Sequence, residues 1–222
     1  MIELKNVTKI FNQNRPNEIT ALKDISFLVK EGDTVLLKGP SGSGKSTILS
    51  LIAALSKPTS GEVTVDDTRV SKLPDNFAAL FRRKHIGFIF QKFNLIPTLS
   101  VFDNVSLPLI PSGLKNAQIA KKAESVMKKF SIDHKANELT KNLSGGEQQR
   151  CAIARALIND PDIILADEPT ANLDEKLSNS FLEFVKEIKE EGKSVIISTH
   201  DPIFFDNPLF TKTVEISKGR LL

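Results

Sequence analysis

The chain has 222 residues, of which 40% are hydrophobic, a composition that can bury one core and is not typical of a disordered protein. Its 30 basic and 27 acidic residues give a formal net charge of +3 and are mixed in sign, whereas direct binding of nucleic acid needs a concentrated basic stripe. The single cysteine and the three histidines exclude an internal disulfide and a zinc cluster.

The densest basic residues, at 121–122 and 128–129, lie in a segment with helical periodicity, where lysines most often form a solvated face. No stretch approaches the roughly 18 apolar residues of a membrane span, and the N-terminus does not have the shape of a signal peptide. Cys151 lies in an apolar helical stretch and is expected to be a small buried side chain. We therefore expect a soluble, cytoplasmic protein that makes no direct contact with nucleic acid.

The first part of the chain reads mostly as β-structure. Alternating apolar residues predict strands around 2–7, 25–29 and 62–65, which suggests an antiparallel layer. The middle of the chain, from about 74 to 142, changes character, because a charged amphipathic helix is predicted over 116–132 and short helical pieces flank it. We expect a helical subdomain over about 91–142.

The last part of the chain alternates between helices and apolar strands. Strands are predicted at 162–166 and 194–198, with a helix over 175–191 between them. Alternation of that kind implies a parallel sheet. We expect one α/β domain over 1–222, in which about 1–90 and 143–222 form the core together with the antiparallel β layer.

Residues 39–46 form a glycine-rich loop between a predicted strand at 34–37 and a predicted helix at 46–55. Glycines let successive N–H groups converge on phosphate oxygens, and the N-terminus of a helix favours an anion. Lys45 adds a point charge, and Ser46 can offer its hydroxyl to Mg²⁺. The plainer interpretation, a turn that ends a strand, does not explain why motif and context agree. The expected nucleotide-binding residues are Gly39, Pro40, Ser41, Gly42, Ser43, Gly44, Lys45, Ser46 and Thr47.

Polar side chains follow three apolar strands, at the edge where a parallel sheet binds its ligands. Asp167 is expected to hold Mg²⁺, and Glu168 is expected to polarise the attacking water as general base. His200 and Gln91 have the same position on neighbouring strands, and the Gln91 amide can contact Mg²⁺ or the water. The alternatives are two surface acids and a structural histidine.

A second anion site is predicted at residues 143–147, where Ser144, Gly145 and Gly146 open a helix. The free N–H groups and the helix dipole attract an anion that the local sequence does not supply. An ordinary capped helix start is the alternative. One triphosphate rarely needs two separate cradles unless two subunits share it.

The chain resembles the ATPase subunits of ATP-binding cassette transporters over essentially its whole length. The motifs that carry the resemblance are, in the family's order, Phe11, residues 39–46, Gln91, residues 143–147, Asp167 with Glu168, Asp174 and His200. The resemblance implies a P-loop NTPase fold with a mostly parallel core sheet, an antiparallel β layer and a helical subdomain. It also implies ATP and Mg²⁺ as cofactors.

The resemblance further implies a head-to-tail dimer in which one subunit's phosphate loop and the other's residues 143–147 share each ATP. Phe11 would stack on adenine and Asp174 would lie at the nucleotide, while a core position for Phe11 stays open as the alternative. The partners would be a second copy and an integral membrane permease, which places the chain on the cytoplasmic side of the inner membrane. The apolar segment 93–110 would dock that permease or pack inside the helical subdomain.

Within the superfamily, residues 90–97, 103–105 and 166–170 look most like the lipoprotein-release (LolD), macrolide-export (MacB) and cell-division (FtsE) cassettes. The absence of a membrane part and the end soon after His200 predict a separate ATPase polypeptide without a regulatory domain. Departures from the family's pattern are Glu147, Ala171, Lys38 and Asp67, none of which removes a catalytic group. Chromosome-maintenance and translation cassettes are the rival classes, but they carry long coiled coils or two cassettes per chain.

Overall fold

The computed structural model describes residues 1–171 and 175–222. Its first layer is a three-stranded antiparallel sheet in the order β2-β1-β4, formed by β1 (Ile2–Phe11), β2 (Ile19–Val29) and β4 (Ser60–Val65). Alternate residues of β1, such as Ile2 and Leu4, are buried. The antiparallel layer expected from this alternation is confirmed.

The second layer is a six-stranded sheet in the order β5-β6-β7-β3-β8-β9. Its members are β3 (Thr34–Lys38), β5 (Ile86–Ile89), β6 (Ile163–Asp167), β7 (Ser194–Thr199), β8 (Lys212–Ser217) and β9 (Arg220–Leu221). All pairs are parallel except β8 with β9. The carboxyl ends of β3, β5, β6 and β7 therefore meet at one edge, as the sequence predicts.

The helices are α1 (Lys45–Ile52), α2 (Asp75–His85), α3 (Val101–Ser106), α4 (Asn116–Lys129), α5 (Gly145–Leu157) and α6 (Glu175–Glu190). Helix α1 ends before the predicted residue 55, because Ala54 adopts a left-handed conformation with φ 51° and Leu55 N donates to Ser50 O. Helix α4 likewise ends before the predicted 132, since Ser131 has a φ of 51°.

Two hydrophobic clusters fill the space on either side of the parallel sheet. The first joins the antiparallel sheet and α1 to one face, with Val35, Ile48 and Ile196 fully buried. The second joins α3, α4, α5 and α6 to the other face, with Cys151 and Val185 fully buried. The apolar residues of α6, such as Phe181 and Val185, pack into this second cluster, although Leu177 is only partly buried.

The lysines of α4 are exposed, as expected of a solvated face, and Lys129 pairs with Glu191 at 2.6 Å. Among the helices of the two described ranges, none has the length and apolar character needed to cross a bilayer.

Candidate functional site

The phosphate loop leaves β3 at Lys38 and enters α1 at Lys45. Gly44, at the N-cap of α1, has φ 109°, a conformation that L side chains rarely adopt. A Cβ at Gly44 would lie 2.6 Å from Leu22 Cδ2 and 2.8 Å from Ala21 O. Glycine is therefore required here for both conformation and space, and the first N–H groups of α1 stay open toward the loop.

The Ser43 hydroxyl in this loop is an unsatisfied polar group. Its residue is 2% exposed, and within residues 1–171 and 175–222 its Oγ finds no hydrogen-bond partner. A buried hydroxyl without a partner is costly, so a site that supplies acceptor oxygens accounts for it. The loop thus fits a phosphate group by its backbone, its helix N-terminus and its unpaired hydroxyl.

Lys45 is 5% exposed, and its ammonium lies at the centre of the site. Nζ donates to the carbonyl oxygens of Gly39 at 2.7 Å and Pro40 at 3.1 Å, and it lies 3.2 Å from Glu168 Oε1. A buried charge needs such pairing and hydrogen bonding. The positive charge is thereby fixed at the mouth of the phosphate loop.

The Asp167 carboxylate ends β6 and accepts two hydroxyl hydrogen bonds on the same oxygen. Ser46 Oγ donates to Oδ1 at 2.9 Å, and Ser198 Oγ donates to it at 2.5 Å. Hydroxyl and carboxylate oxygens are the hard ligands that Mg²⁺ prefers, so Ser46 and Asp167 together fit this cation.

Glu168 follows Asp167 directly and is 8% exposed. Its φ is 44°, an uncommon conformation for a residue with a side chain, and its N–H donates to Ser198 O at 2.8 Å. Oε2 lies 2.9 Å from Nδ1 of His200 and accepts from its backbone N–H at 3.2 Å. The carboxylate is therefore held between an ammonium and an imidazole, in a conformation of the kind that clusters at functional sites.

The other predicted nucleotide contacts lie near the ends of strands. Gln91 is exposed and follows β5, the neighbour of β6 in the sheet. Phe11 ends β1 with 41% of its surface exposed, and Lys9 Nζ lies 4.9 Å from its ring centroid. That exposure rules out the alternative that Phe11 is a core residue. Asp174 lies outside the described residues.

The predicted second anion site opens α5 with Ser144 as its N-cap. Glu147 N donates to Ser144 Oγ at 3.4 Å and Ser144 N donates to Glu147 Oε2 at 2.8 Å, which completes a capping box. Hydrogen bonds from Ser144 hold the pKa of Glu147 below its ordinary value of 4.5, and Lys135 Nζ lies 3.6 Å away. The capped helix start weighed as the plainer interpretation is thus present.

Gly145 and Gly146 differ in how they are used within this helix start. Gly145 is exposed with open space around it, whereas a Cβ on Gly146 would lie 2.9 Å from Leu177 Cδ2. Glycine at 146 thus allows α5 to approach α6, and glycine at 145 leaves the backbone bare toward solvent.

Three polar residues near the site were not predicted. Ser198 bonds Asp167 and Glu168, Gln149 Nε2 on α5 donates to Pro169 O at 3.3 Å, and Thr170 Oγ1 donates to Asp201 Oδ2 at 2.8 Å. Of these three residues, Ser198 is the one that the sequence could have revealed, because it places a hydroxyl at the carboxyl end of an apolar strand.

The segment 93–110 was expected either to dock a partner or to pack in the interior, and its residues do not all have the same environment. Phe93, Val101 and Leu109 are buried, whereas Ile96 is 38% exposed and Ile110 is 64% exposed. Two residues of the nearby 3-10 helix Leu107–Ser112 line a groove of about 460 Å³ beside α2. Its further lining includes Leu80, Phe88 and Arg155. One face of the segment is therefore interior packing, and the other is available to a partner.

A phosphate loop, paired acids at the neighbouring strand end and a capped glycine helix start on this two-layer fold define a nucleotide-hydrolysing cassette. The sequence profile of the family described as ABC transporter matches residues 22–171. The chain belongs to this family as an ATPase domain that uses ATP with Mg²⁺, which confirms the predicted family, fold class, activity and cofactors.

The similar proteins include an ATP-binding protein that the match covers almost fully and a longer ATP-binding/permease protein that it covers in part. The chain is 47% identical over 206 residues to the ABC transporter ATP-binding protein MJ0796 of Methanocaldococcus jannaschii, covering 90% of this chain and 87% of that protein. It is 42% identical over 223 residues to the macrolide export ATP-binding/permease protein MacB of Hyphomonas neptunium, covering 100% of this chain and 34% of MacB.

Among solved structures, the fold superposes on the dimeric post-hydrolysis state of the ATP-binding cassette MJ0796 bound to ADP and Pi. The TM-score is 0.91 at 42% sequence identity, and the match covers 100% of this chain and 96% of that one.

Proposed function

We propose that the chain is the ATP-hydrolysing subunit of an ABC transporter, which closes head to tail with a second copy around two MgATP and drives a membrane subunit. The observation that carries the proposal is the cluster of Lys45, Glu168 and His200, in which the carboxylate lies 3.2 Å from the ammonium and 2.9 Å from the imidazole. This cluster stands beside the Ser46–Asp167 pair at the end of the phosphate loop.

Each side chain has a role that follows from its position. The loop 39–47 and Lys45 bind the phosphates, and Phe11 stacks on adenine. Ser46, Gln91 and Asp167 would hold Mg²⁺, which supplies charge neutralisation on the phosphate oxygens when it is bound.

Glu168 accepts the proton of the attacking water, and His200 orients its carboxylate through Oε2. The positive φ of Glu168 directs the side chain from the strand end toward Lys45. A positioned base of this kind contributes about 10²- to 10⁴-fold in rate.

The second copy completes the site through the start of α5. Ser144, Gly145 and Gly146 offer a hydroxyl and bare N–H groups to the partner's γ-phosphate, and Asp174 is a further proposed contact to the nucleotide. The dimeric structures of MJ0796 support this assembly, since that protein matches the whole chain.

The membrane partner is an integral permease that docks on the groove between α2 and the 3-10 helix Leu107–Ser112. The MacB relatives support this assignment because they join an ATP-binding part to a permease in one protein. We propose MacB-like export or lipoprotein release by mechanotransmission, with the chain bound peripherally to the cytoplasmic face of the membrane.

The test compares Glu168→Gln with Glu124→Gln, an exposed glutamate on α4. We expect Glu168→Gln to bind ATP, to hydrolyse it about 10²- to 10⁴-fold more slowly and to elute as a dimer with MgATP. Glu124→Gln should turn over normally. Normal turnover by Glu168→Gln would rule out Glu168 as the general base.

The shared site is tested by adding Ser144→Arg to the Glu168→Gln variant. The arginine should abolish the ATP-dependent dimer in gel filtration without changing ATP binding by the monomer. An unchanged dimer would contradict the arrangement in which α5 caps the partner's nucleotide.

A further inference from the structure

The Asp167 carboxylate is held from two separate elements. Ser46 Oγ on α1 donates to Oδ1 at 2.9 Å, and Ser198 Oγ on β7 donates to the same oxygen at 2.5 Å. Asp167 and Ser198 are direct neighbours in the parallel register of β6 and β7. Within the described part of the chain, both side-chain bonds of Asp167 fall on Oδ1.

Ser198 stands where the surrounding sequence is apolar. The residues before it, Val195, Ile196 and Ile197, are core, and Ser198 itself is 0% exposed. A hydroxyl buried among them costs free energy unless it is hydrogen-bonded, and its donor is directed at Asp167.

Ser198 also contacts the next acid through its backbone. Its carbonyl oxygen accepts the Glu168 N–H at 2.8 Å, where Glu168 turns into its positive φ of 44°. A single residue on β7 thus fixes the side chain of Asp167 and the backbone of Glu168.

We propose that Ser198 is a positioning residue that orients the Asp167 carboxylate for the divalent cation. The inference rests on the proposed function, in which Ser46 and Asp167 hold Mg²⁺. Without the Ser198 hydroxyl, the one donor left to Oδ1 among the described residues would be Ser46, whose hydroxyl is also needed at the cation. The carboxylate would then turn more freely, and the cation site would lose its preorganisation.

The test measures cation binding separately from turnover. Mn²⁺ is titrated into the ATP complex of the Glu168→Gln protein and followed by electron paramagnetic resonance, and ATP affinity is measured in EDTA. Ser198→Ala should weaken Mn²⁺ binding by about tenfold or more, the equivalent of one hydrogen bond to a charged group, and leave ATP affinity in EDTA unchanged.

Two further variants separate orientation from packing. Ser194→Ala removes a hydroxyl from the other end of β7, where it accepts from Gly32 N at 3.0 Å, and should leave Mn²⁺ affinity unchanged. Ser198→Thr keeps the hydroxyl and should bind Mn²⁺ like the Glu168→Gln parent. If Ser198→Ala does not fold, Ser198→Cys takes its place with the same expectation.

Mn²⁺ affinity within twofold of the parent in the folded Ser198 variant would overturn the inference. Equal weakening in the alanine and threonine variants would overturn it too, because the effect would then come from packing. If the Glu168→Gln parent itself binds neither ATP nor Mn²⁺, it is the proposed function that fails.

Discussion

Replacing Asn104 by alanine should destabilise the turn that leads into α3. Asn104 lies on α3 with 0% exposure, and its Oδ1 accepts Ile96 N at 2.7 Å. Its Nδ2 lies within hydrogen-bonding distance of the carbonyl oxygens of Ile96, Leu99 and Ser100, at 3.1, 3.3 and 3.0 Å. The buried amide therefore holds the whole turn that enters α3.

The magnitude follows from which groups keep another partner. Ile96 O still accepts from Thr140 Oγ1 at 2.8 Å and Leu99 O from Thr140 N at 3.1 Å, while Ser100 O accepts from the backbone N–H of residue 104 at 3.0 Å. Only Ile96 N loses its acceptor, which costs about 1–3 kcal/mol. The lost amide bonds add about 1 kcal/mol, so we expect a loss of about 2–4 kcal/mol in the free energy of unfolding.

Urea denaturation followed by circular dichroism measures this loss as a lower midpoint at unchanged slope. Asn142→Ala is the matched control, since this exposed amide donates to Glu138 Oε1 at 2.5 Å, and it should shift stability by less than about 0.5 kcal/mol. Asn104→Asp should lower the free energy of unfolding more than Asn104→Ala does. Aspartate keeps the acceptor for Ile96 N, but it turns a second acceptor oxygen toward the three carbonyls.

Stability of Asn104→Ala within about 0.5 kcal/mol of wild type would refute this reasoning. A milder effect of aspartate than of alanine would refute the assigned direction of the amide hydrogen bonds.

Three further predictions concern single side chains. Phe11→Ala should weaken ATP binding by about 1–3 kcal/mol in calorimetry on the Glu168→Gln protein, whereas Phe77→Ala, 54% exposed on α2, should not change it. Burial raises the pKa of the Cys151 thiol to about 12, so Ellman's reagent at pH 8 should react with it only after unfolding; rapid reaction of the native protein would contradict its burial. Because the pKa of Glu147 is lowered in the folded state, its stabilisation is present above the ordinary value of 4.5 and lost as pH falls through the folded pKa. The thermal midpoints of wild type and Glu147→Gln should therefore converge with acidification, and a constant difference from pH 7 to pH 3.5 would speak against the capping bond.

The main elements of the fold could be predicted because local pattern and final environment agree. Residues 35–37 are apolar because β3 is buried between two neighbouring strands, and the glycine at 44 lies where the backbone needs a positive φ. Helix ends were less predictable, since Ala54 and Ser131 turn into left-handed conformations without glycine.

The site could be predicted as a set of positions but not as a set of bonds. Strand ends placed Asp167, Glu168 and His200 at one edge, yet nothing in the sequence shows that Ser198 donates to Asp167 or that Lys45 binds the carbonyls of its own loop. Such bonds depend on strand order and register, which bring together residues far apart in the chain.

The hydrogen bond from Gln149 to Pro169 has a consequence for how two bound nucleotides would communicate. Gln149 lies on the helix whose first residues, in the proposed pair, cap the nucleotide of the other subunit, while Pro169 follows Glu168, the proposed base for the subunit's own nucleotide. A shift of this helix on engagement would therefore also move the backbone beside Glu168. The two hydrolysis events would then be coupled through a buried amide, and turnover would depend cooperatively on ATP concentration.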